Sequence, residues 1–239
     1  MPVDKSQQRI RRMFGAIAPR YDLMNRLMTF GLDRGWRRRT VGSVAIRPEA
    51  RVLDVCCGTG DLTEAWASKL PDAKVVIGTD FTWPMLDRAT TKARKGRRRG
   101  ANISYVGADT LRLPVPSDQF DVVSVGFGIR NVGDTARGLR EMSRVCCPGG
   151  HVIVLETSVP GWPVVASLFR FYFHQVVPRL GRWLSPDADS AYTYLPASTS
   201  EFPQGESFAE LMREAGLEEI VVRPLTMGSV TLYVGRKPS

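Results

Sequence analysis

The chain has 239 residues, 43% of them apolar, with 33 Lys and Arg against 24 Asp and Glu for a formal net charge of +9. That length can bury a substantial core without disulfides, and alternating strand-like and helix-like stretches fit one large α/β domain better than two small ones. The four cysteines fall as two adjacent pairs, Cys56-Cys57 and Cys146-Cys147, and the two histidines, His151 and His174, are far apart, so neither a C-x-x-C redox motif nor a metal centre is expected.

Residues 4–18 and 21–46 read as helices of an N-terminal cap, broken at Ala18-Pro19 because a residue preceding proline disfavours helix. Leu23, Leu27 and Phe30 recur at helical spacing and are expected to face the domain. Arg51 to Cys56 then reads as a buried strand, and Gly58-Thr59-Gly60 as a tight turn that leaves N–H groups free at the start of a helix over 60–69. The spacing is not the GxGxxG of dinucleotide proteins, and a turn without a ligand would look similar. The strand at 74–79 ends in Thr79-Asp80, about 20 residues past that turn, where an acidic residue can accept both hydroxyls of a ribose.

A helix at 83–95, an exposed connection at 96–100 and a short strand at 103–106 complete a βαβαβ half-sheet, parallel and right-handed. Asp109, just past that strand, could bond the exocyclic amine of an adenine, or simply close a turn or cap a helix. The β-branched run 122–125 is a buried strand ending at Gly126-Phe127-Gly128, whose glycines would clear space for a ligand around Phe127. A helix at 134–145 and the turn Pro148-Gly149-Gly150 lead into a strand from His151 to Glu156. Between Thr157 and Gly205 no strand-like alternation appears. That aromatic-rich insert carries Arg170, Arg179 and Arg182, a composition suited to core, to a lid over an apolar ligand or to an interfacial helix. A helix at 206–215 capped by Gly216, and strands near 217–223 and 229–235, form an antiparallel end to the sheet.

Three sets of residues carry a resemblance. DVCCGTGD at Asp54 to Asp61, with TD closing the second strand, resembles the class I S-adenosylmethionine-dependent methyltransferases. YDLMN at Tyr21 to Asn25, FGIRNVGD at Phe127 to Asp134 and YTYLPASTSEFP at Tyr192 to Pro203 are similar to the family that C-methylates demethylmenaquinol or the 2-polyprenylbenzoquinol precursor of ubiquinone. The resemblance implies a seven-stranded, mostly parallel α/β sheet with helices on both faces, Rossmann-like. It divides a single domain into a helical cap (1–48), a cofactor-binding core (49–156), an aromatic substrate-side insert (157–205) and a final helix with antiparallel strands (206–239). It implies S-adenosyl-L-methionine as cofactor, bound by Asp54, Gly58, Thr59, Gly60, Asp80, Asp109 and Thr110, with Tyr21, Asp22 and Asn25 near its methionine end. Related enzymes often carry Asn-Ala at Asp109-Thr110 and Ser at Gly126, so a hydroxyl contact at the second site is missing here.

The implied acceptor is a lipophilic prenylated quinol, most directly demethylmenaquinol, with the ubiquinone precursor as the alternative. Its ring carbon becomes nucleophilic as a neighbouring hydroxyl loses its proton, and Arg130 and Asn131 are the candidate catalytic residues; no metal is required. Arg130 could instead pair with Asp22 or Asp134 and pin the cap to the sheet. The arginine-rich stretches Arg9 to Arg39 and Lys92 to Arg99 suggest peripheral contact with an anionic membrane, or plain solvation. They also permit a nucleic-acid methyltransferase, but no nucleic-acid-binding module and no Asp/Asn-Pro-Pro-Tyr/Phe string is present, so no nucleic-acid partner is expected. A non-catalytic cofactor-binding protein is a third reading, opposed by the intact glycine turn and acidic strand ends. No run reaches transmembrane length and no signal peptide is recognised, so a cytoplasmic protein is expected.

Overall fold

A computed structural model describes residues 4–96, 103–179 and 189–239. Seven strands form one sheet in the order β3-β2-β1-β4-β5-β7-β6. They are β1 (Arg51–Val55), β2 (Val75–Asp80), β3 (Ile103–Gly107), β4 (Phe120–Gly126), β5 (Cys146–Thr157), β6 (Glu218–Leu225) and β7 (Val230–Arg236). The first five pair in parallel, and β7 runs antiparallel between β5 and β6. The seven-stranded, mostly parallel sheet and its antiparallel end are as expected from the sequence.

Both faces of the central strands are covered, which is why they read as continuous apolar runs. Leu53, Val55, Val123, Val125, Val152 and Val154 face a core closed by Leu139 and Met142 of α6 (Thr135–Val145) and by Phe208 and Met212 of a C-terminal helix, Glu206–Glu214. On the opposite face Val52, Val122, Ile153 and Leu155 meet Trp36 of α3 (Asp33–Val41) and Trp66 of α4 (Asp61–Lys69). A third cluster joins Ile10, Met13 and Ile17 of α1 (Gln7–Ile17) and Met24 of α2 (Tyr21–Met28) to Met85 of α5 (Trp83–Gly96) and Tyr194 of α8 (Asp189–Glu201). This cluster seats the cap beside the carboxyl ends of the strands.

The cap differs from its expectation. In place of one helix over 21–46 there are two, because Phe30 (φ 51°) and Gly31 (φ 76°) turn left-handed and Gly31 N–H closes onto the Arg26 carbonyl at 2.8 Å. Met24 is the buried residue of α2, whereas Leu23, Leu27 and Phe30 point outward, the reverse of the expected packing. β5 begins at Cys146 rather than His151, pairing Phe120 with Cys146 before its register shifts. Gly216 (φ 82°) caps the C-terminal helix as expected. Of the insert, α7 (Pro163–Phe171) runs into a π-helical turn, Tyr172–Val176. Arg182 and the Arg97-Arg98-Arg99 run lie outside the described residues.

Candidate active site

The strand order reverses between β1 and β4, and ligands of open α/β sheets bind outside the strand ends at such a switch point. A cavity of about 280 Å³ opens there. Asp54, Gly58, Thr59, Asp80, Arg130 and Asn131 line its polar floor, and Phe14, Met28, Phe30, Phe169, Tyr172 and Phe173 its apolar wall. Tyr21 and Asn25 also line it, close to the glycine turn.

The turn after β1 is built from left-handed residues, Cys56 (φ 49°), Gly58 (55°) and Gly60 (82°). Asp80 ties it to β2: its two carboxylate oxygens accept the backbone N–H groups of Gly58 (3.0 Å) and Thr82 (2.8 Å). Burial raises the Asp80 carboxyl above its ordinary value against the pull of those bonds. The turn keeps fewer N–H groups for a ligand than its sequence suggests, since Gly60 N–H also bonds the Cys57 carbonyl at 2.9 Å. Gly60 itself makes room for protein: a Cβ there would sit 2.3 Å from the Tyr105 hydroxyl. Gly128 is similar, because its Cβ would meet the Cys56 Cβ at 2.4 Å. Cys56 thus fills the space beside Gly128, while Gly126, Phe127 and Gly128 all line the cavity.

Asp54 lies under the turn. Its carboxylate accepts hydroxyls from Thr63 (2.7 Å) and Ser124 (2.8 Å), and Ser124 in turn accepts the Trp66 indole N–H (2.9 Å). Burial pushes the Asp54 carboxyl up to about 7 although both hydroxyls hold it down. Asp109 and Thr110 lie outside the cavity lining. Asp109 Oδ1 accepts the Leu111 N–H (2.9 Å) and Oδ2 the Gln7 amide (2.5 Å), while the Thr110 hydroxyl meets Cys56 Sγ at 3.2 Å.

Arg130 follows β4 in a short 3₁₀ turn, Ile129–Asn131, behind a left-handed Phe127 (φ 60°). Its partner is Glu156, at the end of β5, and not Asp22 or Asp134 as the pinning alternative has it. Asp134 instead caps α6 by accepting the Arg137 N–H at 2.9 Å. The pair is buried, with Arg130 5% and Glu156 1% exposed. Arg130 Nη1 also donates to the Phe127 carbonyl at 3.0 Å, and Glu156 accepts the Thr157 N–H at 2.8 Å. Among the described residues, Arg130 Nε and Asn131 Oδ1 are buried with no partner, an unused donor and an unused acceptor on consecutive residues. Sequence reasoning missed Glu156; its place at a strand's carboxyl end was the available signal.

It also missed a chain of ion pairs that fastens the cap over the turn. The Thr59 hydroxyl donates to Asp22 (2.5 Å), Asp22 pairs with Lys92 (3.0 Å), Lys92 with Asp61 (2.5 Å), Asp61 with Arg37 (3.1 Å) and Arg37 with Asp33 (2.5 Å). Burial would raise the Asp61 carboxyl, but Arg37 and Lys92 outweigh it and hold it below the ordinary value. Burial would likewise lower Lys92, yet Asp61 and Asp22 raise it. Two cations of the arginine-rich stretches are therefore engaged inside the protein.

Five parallel strands extended by an antiparallel pair, with a glycine turn and an acidic strand end lining one cleft, define the class I S-adenosylmethionine-dependent methyltransferase fold. The [4+2]-cyclase SpnF shares the fold, with a TM-score of 0.65 at 17% identity over 100% of this chain and 98% of that one. Residues 2–237 match the model of the ubiE/COQ5 methyltransferase family, and the chain belongs to that family. It is 43% identical over 230 residues to the "Ubiquinone/menaquinone biosynthesis C-methyltransferase UbiE" of Geobacter sp. (strain M21), covering 96% of this chain and 97% of that protein. It is also 43% identical over 234 residues to the "Demethylmenaquinone methyltransferase" of Deinococcus radiodurans, covering 98% and 94%.

Proposed function

We propose that the protein transfers a methyl group from S-adenosyl-L-methionine to a ring carbon of a polyprenylated quinol, converting demethylmenaquinol to menaquinol. The observation that carries this reading is a cavity lined by Arg130 and Asn131, whose Nε and Oδ1 have no partner among the described residues, together with the rings of Phe14, Phe169, Tyr172 and Phe173. A quinol matches both halves. Its hydroxyl supplies the missing donor and, once ionised, the missing acceptor, and its ring and tail suit the apolar wall.

The residues present fit the cofactor. Each Asp80 oxygen is engaged by one N–H and keeps a lone pair for the ribose hydroxyls, and Gly58 and Thr59 approach from the turn. Asp54, Gly60, Asp109 and Thr110 support that site from behind by holding the turns in shape. The cofactor contributes a sulfonium methyl, already a strong electrophile, so the protein's task is chiefly to hold donor and acceptor in line. Asn131 orients the quinol hydroxyl. Arg130 is too basic to take its proton and serves as a donor to the forming quinolate, the proton passing to water. Because Glu156 already compensates its charge, Arg130 acts through a fixed N–H rather than a net positive field.

The name of the Geobacter relative includes ubiquinone biosynthesis as well, in line with a second acceptor, 2-methoxy-6-polyprenyl-1,4-benzoquinol. Among the described residues no helix is long and apolar enough to cross a membrane. The reading includes a cytoplasmic protein in peripheral contact with the anionic inner face of the cytoplasmic membrane, where such quinols dissolve. The test is methyl transfer from labelled cofactor to short-chain analogues of both quinols; transfer to neither would overturn the reading.

A further inference from the structure

Two apolar stripes lie on the outside of the described residues. Leu23, Leu27 and Phe30 are 52%, 44% and 80% exposed, and Val164, Leu168 and Phe171 are 81%, 68% and 62% exposed. Leu23 and Leu27 share one face of α2, with Phe30 just beyond its end, and Val164, Leu168 and Phe171 have i, i+4, i+7 spacing along α7. On the other side of α7, Ala166 is buried and Phe169 lines the cavity, so this helix is apolar towards protein and solvent alike. The stripes converge at the cavity mouth. The Phe30 ring packs 5.9 Å from that of Tyr172, whose hydroxyl donates to the Met28 carbonyl at 2.9 Å. Phe30 reaches its exposed position through a left-handed backbone, φ 51°, a strained state for a side chain of that size.

We infer that this face is a membrane-docking surface, seating the mouth of the cavity in the headgroup layer of an anionic bilayer. The inference rests on the quinol reading above and gives its lipid contact a location. A bilayer fits better than a second copy of the chain on two grounds. A second copy would seal the mouth and leave a long prenyl tail no exit. The exposed charges carried by these helices are also of one sign, Arg26 on α2, Arg34 on α3 and Arg170 on α7, while the acidic residues of α2 and α3, Asp22 and Asp33, pair with Lys92 and Arg37. A two-fold contact would bring those arginines face to face, whereas acidic headgroups would complement them. The apolar stripes, and not the arginines alone, then supply the adhesion.

The test is co-sedimentation with vesicles of phosphatidylcholine containing a minority of phosphatidylglycerol, at low and high salt. Full-length wild type is compared with Leu168→Ser/Phe171→Ser and with Leu23→Ser/Leu27→Ser, pairs outside the cavity lining. Each pair is expected to lower partitioning about tenfold or more, equivalent to about 1.4 kcal/mol, and high salt should weaken wild-type binding without abolishing it. Turnover of a water-soluble short-chain quinol should be unchanged, while turnover of a long-tailed quinol in vesicles falls with binding. Wild-type sedimentation by both variants overturns the inference, as does light scattering that shows a wild-type dimer dissociated by them. If the wild type methylates no quinol although its vesicle binding follows the stripes, the quinol reading fails and the docking surface stands.

Discussion

Glu156→Gln and Arg130→Lys separate what the buried pair does for the fold from what it does for the reaction. Glu156 accepts Arg130 Nη1 and the Thr157 N–H, and glutamine keeps an oxygen but removes the charge, leaving a guanidinium only 5% exposed without a counter-ion. Breaking a buried pair in this way costs about 3–5 kcal/mol. At roughly 2–4 °C per kcal/mol for a chain of this size, the melting temperature should fall by about 6–20 °C. Arg130→Lys keeps the charge beside Glu156 but loses the 3.0 Å bond to the Phe127 carbonyl and the Nε donor. One lost hydrogen bond is worth about 1 kcal/mol, so melting should drop by only a few degrees. Turnover should fall about 10²-fold, the scale for losing one donor to a developing oxyanion. Single-turnover methyl transfer to a short-chain demethylmenaquinol, beside melting curves and calorimetric cofactor affinity, reads all of these. Wild-type turnover in Arg130→Lys would refute the catalytic role, and wild-type melting in Glu156→Gln would refute the electrostatic argument for the pair.

Asp80→Ala should weaken cofactor binding by about 1–3 kcal/mol, the cost of leaving hydrogen-bonding partners unpaired; unchanged affinity by calorimetry would remove the ribose assignment. Lys92→Met takes the shared cation from Asp22 and Asp61, which are partly exposed, so after screening the loss should be about 1 kcal/mol. Faster hydrogen exchange confined to α2 and α3 is the readout, and exchange rising equally in α6 would contradict the proposed fastening. Because Asp61 is held below its ordinary 3.8 and Lys92 above 10.5, this contribution is fully present between those values. It is lost as pH falls through the depressed Asp61 value or rises through the raised Lys92 value. Asp54 has the opposite sign: with a folded value of about 7 against 3.8, the folded state keeps a proton that the unfolded state releases. Wild-type stability should therefore fall as pH rises between those values. Asp54→Asn has no such loss, so denaturant melts should show its stability relative to wild type rising across that window and levelling above it. A pH-independent difference would refute this.

The sheet was legible because β1, β4 and β5 are buried on both faces, and a strand of that kind must be apolar at successive positions such as Val122, Val123 and Val125. The glycine turn and Asp80 were legible for a local reason too, lying at the ends of such strands. The cap was harder. Helical spacing shows that Leu23, Leu27 and Phe30 share a face, but it carries no information about what covers that face. Nor does Phe30-Gly31 announce a break, since ending the helix there requires Phe30 to adopt a left-handed state that phenylalanine usually avoids. Charge runs hide their pairings in the same way. Arg37 looks like its neighbours Arg38 and Arg39, yet it alone of the three meets both Asp33 and Asp61.

Glu156 shows where such reading ends. The parallel register of β4 and β5 sets Gly126 against Leu155, and Phe127 N–H bonds the Leu155 carbonyl at 2.7 Å. One residue further, Phe127 is level with Glu156, and the short 3₁₀ turn that follows folds Arg130 back so that it reaches both the Phe127 carbonyl and the Glu156 carboxylate. Register is a relation between distant segments and is absent from either sequence stretch taken alone. Once it is known, the chemistry is constrained. An arginine fixed by a buried carboxylate has little freedom to follow a moving charge, so its remaining N–H serves best where charge appears at one defined point. On the proposed quinol reading, a substrate hydroxyl held by Asn131 would provide such a point.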